Sequence, residues 1–346
     1  SRMEEAVQTQ YNETQIVELE NELCKRKKEF EHSRKGLHIN FNQTTSDIYT
    51  LKNKYHYIMA YYKADRIFHA EQPKHVEKVQ LKEDYTLAEF PRNEFVKYLL
   101  DLKVTEALAR SNGKTEKANS IRTWFDRLEI LLRRIFADDT VKIEFDEDTF
   151  EFHILQQGRE PFDFNTLSSG YQAVLDIVLD IIMRMQKQMR QSFNFNLSGI
   201  VLIDEIETHL HLELQKNIMP LLTTIFPNIQ FIITTHSPQI LGEADDSYNI
   251  YVLTETNHAE CEVKTIKRMD GYDSNMILEK YMNTHSKNIA VKKMICDINR
   301  FITQKQYHDA EILLEQLEEI SGSMDEEYIM ARGFLERSKL LDEKNK

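Results

Sequence analysis

Gly199-Ile200-Val201-Leu202-Ile203-Asp204-Glu205 and Phe231-Ile232-Ile233-Thr234-Thr235-His236-Ser237-Pro238 decide the fold. Each opens as a run of apolar, mostly β-branched residues without polar alternation. That pattern predicts a strand covered on both faces, as in a parallel sheet. Each then ends abruptly in polar groups. Leu212 to Phe226 lies between them with helical spacing, and Pro227-Asn228 supplies the turn into the second strand. Strand, helix and strand make a βαβ unit whose strands run parallel. Asp204, Glu205 and His236 therefore leave the sheet at one edge, the edge where open α/β sheets bind ligands. Pro238 suits the first turn of a following helix, where its missing N–H costs nothing.

Upstream, Leu167-Ser168-Ser169-Gly170-Tyr171-Gln172 precedes an amphipathic helix with Val174, Ile177, Val178, Ile181, Ile182 and Met185 as its buried stripe. A small, glycine-containing turn at a helix N-terminus presents free N–H groups and the positive end of the helix dipole, which suits phosphate oxygens. Alone, the same residues read equally as an ordinary N-cap. The two carboxylates at the first strand's end suit a metal–nucleotide site. Asp204 would hold Mg²⁺ through water, and Glu205 would deprotonate an attacking water. A strand running into an acidic loop is the plain alternative. His236 is positioned to donate a hydrogen bond to a γ-phosphate, or to serve structure only.

In this order and spacing the motifs resemble those of the ABC ATPase superfamily. Leu167–Gln172 is similar to the signature motif, Ile200–Glu205 to Walker B and Glu207-Thr208-His209-Leu210-His211 to the D-loop, and His236 matches the switch histidine. The His209 and His211 pair would suggest a metal site by itself but lacks a third ligand nearby. Glu205–His211 together with Thr234–Gln239 is similar to the SMC-like and OLD-like soluble branch. The tail resembles Septu and retron-associated defence ATPases, which act with a separate nuclease. The likeness is close over about residues 160–242, looser over 55–160 and thin past about 270. It implies ATP and Mg²⁺ as cofactors and a homodimer that sandwiches nucleotide. Ser168, Ser169, Gly170 and Gln172 would meet a nucleotide held by the partner, Asp204 the metal and His236 the γ-phosphate, with Glu205 as base. It further implies conformational control of a partner in DNA repair or anti-phage defence.

The fold expected is α/β: a parallel sheet core with an antiparallel β portion, a helical subdomain and a helical C-terminal appendage. Residues 1–35 read as a polar helix, 37–41 and Tyr55 to Ala64 as strands, and 92–137 as helical. Val141 to Gln156 alternates as a hairpin, and helix patterns fill the chain from Asp273 onward, with a Ser323/Glu326 capping box before the last. The domains expected are an ATPase-like domain over 1–272, including the signature-to-switch region 160–242, and a helical appendage over 273–346. The 346 residues, 41% hydrophobic, suffice for a real core, and the net charge of −13 excludes bulk attraction to nucleic acid. Nucleic-acid contact would need a local basic patch at Lys25 to Lys28, Arg133-Arg134 or Lys292-Lys293. Three scattered cysteines, no membrane-length apolar run and no signal-peptide pattern point to a reducing cytoplasm.

A working ABC site also needs G-x-x-x-x-G-K-[ST]. No two of the nine glycines stand five positions apart, so the motif is absent from this sequence. Gly113-Lys114-Thr115 imitates its end but follows a helical pattern, and reads as a loop. The family places its P-loop in an N-terminal lobe, which is expected upstream in a longer protein. The chain by itself is expected to hydrolyse ATP negligibly. The rival reading is a non-catalytic interaction module whose tail docks a partner nuclease. A single-chain OLD-type nuclease would require a Toprim domain with clustered acids, which the helical tail does not offer.

Overall fold

The computed structural model describes residues 57–66, 68–188, 197–255, 261–284 and 287–344, with a few positions between 44 and 54. The helix expected over 1–35, the strand over 37–41 and the basic run Lys25 to Lys28 lie outside the described residues. In chain order, β1 (Tyr57–Tyr62) precedes two long helices, α1 (Phe95–Ser111) and α2 (Thr115–Phe136), and the hairpin of β2 (Lys142–Phe145) and β3 (Phe152–Leu155). Then come α3 (Ser169–Gln186), β4 (Ser198–Ile203), α4 (Leu212–Ile225), β5 (Ile229–Ile233) and the short α5 (Pro238–Leu241).

The parallel sheet runs β1-β4-β5, with Ala60 and Tyr62 beside Val201 and Ile203, and these beside Phe231 and Ile233. This face packs into one core with the apolar residues of α2, α3 and α4. Each fully buried aliphatic or aromatic side chain there contributes roughly 1.5–3 kcal/mol. β4 is buried as its apolar run predicts, but β5 is not. Its Gln230 and Ile232 face solvent, Ile232 at 43% exposure, on the sheet face where the neighbouring Leu202 is also only half-buried. Gly199 is required by the close approach of β1: a Cβ there would stand 2.6 Å from the Ile58 carbonyl oxygen.

Helices α1 and α2 join at Gly113, whose φ of +70° lies in the left-handed region that favours glycine. Gly113-Lys114-Thr115 is therefore a helix–helix turn, with no strand leading into it. Beyond the sheet stands a hairpin that its sequence did not announce, β6 (Ile250–Glu255) against β7 (Cys261–Ile266). Ile250, Val252 and Ile266 pack inward while Tyr251, Leu253 and Val263 stay exposed, so outward positions are apolar too and no polar alternation marks the hairpin in the sequence. α6 (Ser274–Lys280) follows. Then α7 (Ile289–Thr303), α8 (Tyr307–Ser321) and α9 (Glu326–Lys344) close around Ile298, Ile302, Leu314, Leu317, Tyr328 and Leu335. The expected Ser323/Glu326 capping box does not form. Asp325 caps α9 instead, its carboxylate accepting from the Tyr328 N–H at 3.1 Å, because the helix starts later than the box requires.

Candidate functional site at the carboxyl edge of the sheet

Parallel pairing brings the ends of β4 and β5 side by side, and a set of bonds clasps them. The Thr234 N–H donates to the Ile203 carbonyl at 3.0 Å. The Thr234 hydroxyl donates to Asp204 Oδ1 at 2.6 Å and accepts from the Glu205 N–H at 2.8 Å. One residue further out, the Glu207 carboxylate accepts from the Thr235 hydroxyl at 2.7 Å and from the His236 N–H at 2.5 Å. Ser237 donates its hydroxyl to Gln215 Oε1 at 2.7 Å and caps α5, accepting from the Gln239 and Ile240 N–H groups. Pro238 occupies the first turn of that helix. The structure thus gathers Asp204, Glu205 and His236 at one edge, with Glu205 and His236 exposed and Asp204 half-buried.

Glu205 adopts a φ of +46° and His209 one of +68°. For residues other than glycine such geometry costs on the order of 1–3 kcal/mol and persists only where surroundings over-determine it. Arg66, 3% exposed, supplies much of that constraint. Its guanidinium donates to the carbonyls of Asp204 at 2.6 Å, Glu205 at 3.0 Å and Ile206 at 3.2 Å, and to Lys63 of its own loop at 2.9 Å. Burial pulls this guanidinium below its ordinary value, opposed by the nearby carboxylates of Asp176, Glu207, Asp204 and Glu205. Sequence reasoning missed Arg66, a lone arginine after a strand with no partner visible within reach of its own segment.

Ser168 and Ser169 are exposed at the start of α3, and Gly170 is buried. Ser168 holds the N-cap position, yet its side chain makes no capping hydrogen bond. Gln172 instead donates its side-chain amide to the Asn165 carbonyl at 2.7 Å, bracing the turn. A Cβ on Gly170 would lie 3.1 Å from the His209 carbonyl oxygen, so this turn packs directly on the segment that follows Glu205. Tyr171 and His211 meet edge to face at 6.2 Å. The structure joins the signature-like turn to the D-loop-like segment within one chain.

Behind the sheet α3 buries charge that its apolar stripe conceals: Asp176, Asp180 and Arg184. Asp180 accepts from the Tyr62 hydroxyl at 2.9 Å and from Arg184 Nε at 2.7 Å. Arg92 lies against Asp176 in an ion pair that leaves both Asp176 oxygens without a hydrogen bond. Burial pushes the Asp176 carboxyl up to about 6 despite Arg92. Burial and Asp180 likewise raise the Tyr62 hydroxyl.

Among the described residues no three His, Cys, Asp or Glu side chains cluster as a metal cage. A single half-buried carboxylate at the end of β4 fits Mg²⁺, which keeps several waters and takes one or two carboxylates alongside phosphate oxygens. Of the basic patches, Arg133 pairs with Glu129 and bonds the Val141 carbonyl, and Lys292 pairs with Glu279. No helix among the described residues is long and apolar enough to cross a membrane.

A family described as "AAA domain, putative AbiEii toxin, Type IV TA system" matches residues 13–242. The "Retron Ec83 probable ATPase" of Escherichia coli is 42% identical over 114 residues, covering 33% of this chain and 20% of that protein. The "Septu protein PtuA" of Bacillus mycoides is 42% identical over 97 residues, covering 28% and 13%. The chain thus spans a fifth or less of the length of these two curated relatives. A solved structure described as "Structural biochemistry of ATP-driven dimerization and DNA stimulated activation of SMC ATPases" aligns with a TM-score of 0.33 and 17% identity, over 49% of this chain and 99% of that one.

Proposed function

The chain belongs to this AAA-domain family, and on that premise we propose that it forms the catalytic and trans-acting part of an ATPase that works as a nucleotide-sandwich dimer. The observation that carries the reading is the clasp between β4 and β5. It sets the carboxylates of Asp204 and Glu205, the latter in a strained backbone, and His236 at one sheet edge. Glu205 accepts the proton of the attacking water, and His236 donates to the γ-phosphate. Asp204, its Oδ1 already engaged by Thr234, offers its remaining lone pairs to the water shell of Mg²⁺. When bound, Mg²⁺ supplies charge neutralisation for the phosphates. Ser168, Ser169 and Gly170 face a nucleotide held by the partner, with Gln172 bracing the turn.

The phosphate cradle belongs to a lobe upstream of these residues. Supporting this is the second face of the sheet, where Met59, Tyr61 and Leu202 are half-buried and Ile232 is exposed. Parallel sheets are normally covered on both faces, so a further layer is expected there. In the longer protein, residues 273–346 form an appendage through which turnover controls a partner nuclease in anti-phage defence. Met330, at 71% exposure, and Phe334 line up one helical turn apart on the outside of α9 as its docking face. Phe334→Glu should release that nuclease while sparing ATP turnover, and unaltered co-purification would remove the appendage from the scheme.

The test of the main reading is complementation in the longer protein that carries the phosphate-binding lobe. Glu205→Gln should retain ATP and accumulate dimers without hydrolysis. Ser169→Arg should abolish ATP-driven dimerisation, since a charge-assisted contact of about 1.5–3 kcal/mol is lost. Mixing the two restores one composite site, so part of the activity should return. Normal turnover by Glu205→Gln would assign the base elsewhere, and a Ser169→Arg protein that dimerises and turns over normally would reduce the turn to a helix cap.

A further inference from the structure

The loop that carries Asp204 and Glu205 is held from two sides. Thr234 grips it from β5 through a hydroxyl, on the exposed side of the edge. From the opposite, buried side a single guanidinium reaches three consecutive carbonyls, those of Asp204, Glu205 and Ile206. Consecutive carbonyls of an extended strand point alternately to opposite sides, so one side chain can meet three in a row only where the backbone has left the strand path. The positive φ of Glu205 is that departure. Arg66 is also tied to the end of its own strand through the Lys63 carbonyl, and β1 is tied to β4 through the bond from the Asp204 N–H to the Tyr62 carbonyl at 2.8 Å. The guanidinium therefore refers the position of the loop to the sheet and not to solvent.

We propose that Arg66 is the positioning residue for Glu205: by filling the three carbonyls it holds the backbone of 204–206 in the strained form that aims the carboxylate. Both terminal nitrogens of its guanidinium engage backbone carbonyls, and the inference rests on Glu205 being the base. The planar fork is essential, because its N–H groups diverge from one rigid centre. A lysine keeps the charge but reaches fewer carbonyls at once. Carbonyls left without donors would recover by relaxing toward ordinary strand geometry, which swings the Glu205 side chain away.

The test has two arms. In this chain, amide hydrogen exchange across 203–211 should quicken about tenfold in Arg66→Met and by less in Arg66→Lys, with exchange in α7, α8 and α9 unchanged. In the longer protein, misplacing the base by about an ångström should lower kcat by about a hundredfold in Arg66→Met. KM for ATP should hold, and Arg66→Lys should recover part of the rate. Should Arg66→Met fail to fold, Arg66→Lys carries both arms. Unchanged loop exchange in Arg66→Lys overturns the proposal. So does faster exchange with an unchanged kcat, provided Glu205→Gln is inactive. If Glu205→Gln hydrolyses normally, it is the base assignment that falls, and the exchange arm alone then decides whether Arg66 holds the loop.

Discussion

Asp176 should make the stability of this protein fall as pH rises through the mildly acidic range. Its carboxyl, fully buried on α3, is pushed from its ordinary value of 3.8 up to about 6 by burial. A carboxyl raised in the folded state holds its proton there after the unfolded chain has released it. The stabilisation is therefore complete below the unfolded value and lost as pH passes the folded one. Raising the carboxyl that far is worth roughly 3 kcal/mol, of which about 2 kcal/mol lies between pH 4 and pH 7.

Other carboxylates titrate over the same range, so the readout is the difference between the parent and Asp176→Asn. Removing this carboxylate deprives Arg92 of a partner, which adds an offset, but a guanidinium does not titrate in this range and the offset does not vary with pH. Urea unfolding followed by the fluorescence of Trp124, the chain's one tryptophan and part of the same core, measures both proteins. The stability of the parent relative to Asp176→Asn should decline by about 2 kcal/mol from pH 4 to pH 7. Parallel curves would show that Asp176 ionises as it does in water, and that Arg92 fully offsets its burial.

Three further outcomes are expected. Gly199→Ala should push β1 from β4 at Ile58 and cost about 1–3 kcal/mol in the Trp124 transition; an unshifted midpoint would mean the strands part without strain. Glu205→Asn should abolish hydrolysis in the longer protein yet raise stability by up to about 1 kcal/mol, because asparagine tolerates the left-handed region; a less stable variant would remove the strain argument. Leu317→Ala should cost about 2–5 kcal/mol in the helical tail. It should appear as helix loss by circular dichroism before the Trp124 signal moves, and simultaneous loss would merge the tail with the main core.

The parallel unit was legible because Ile200–Ile203 and Phe231–Ile233 are short apolar runs separated by a helix-length segment, the spacing of a βαβ unit. Its carboxyl edge followed directly. The environment of β5 was not legible, since Ile232 on an open edge and Ile203 in the core belong to identical-looking runs. The β6–β7 hairpin escaped because Tyr251, Leu253 and Val263 are apolar yet exposed, which erases the period of two. At the site, Asp204, Glu205 and His236 were visible as polar breaks after strands. Thr234 and Glu207 adjoin those breaks, and their roles follow only from register. Arg66, Asp176 and Asp180 act across long stretches of chain, and local pattern holds no record of partners that distant.

The two grips on the 204–206 loop differ in how much chain each must close. Thr234 and Glu205 lie 29 positions apart, whereas Arg66 and its carbonyls are separated by 138 to 140. Loop closure at the longer range costs about 1.4 kcal/mol more, close to a tenfold lower chance of encounter. The Thr234 clasp, which needs only one βαβ unit, is therefore expected to form before the Arg66 grip, which waits for β1 to dock. If Arg66 aims Glu205 as proposed, competence is withheld until the sheet is whole, and the finished site is a checkpoint on assembly.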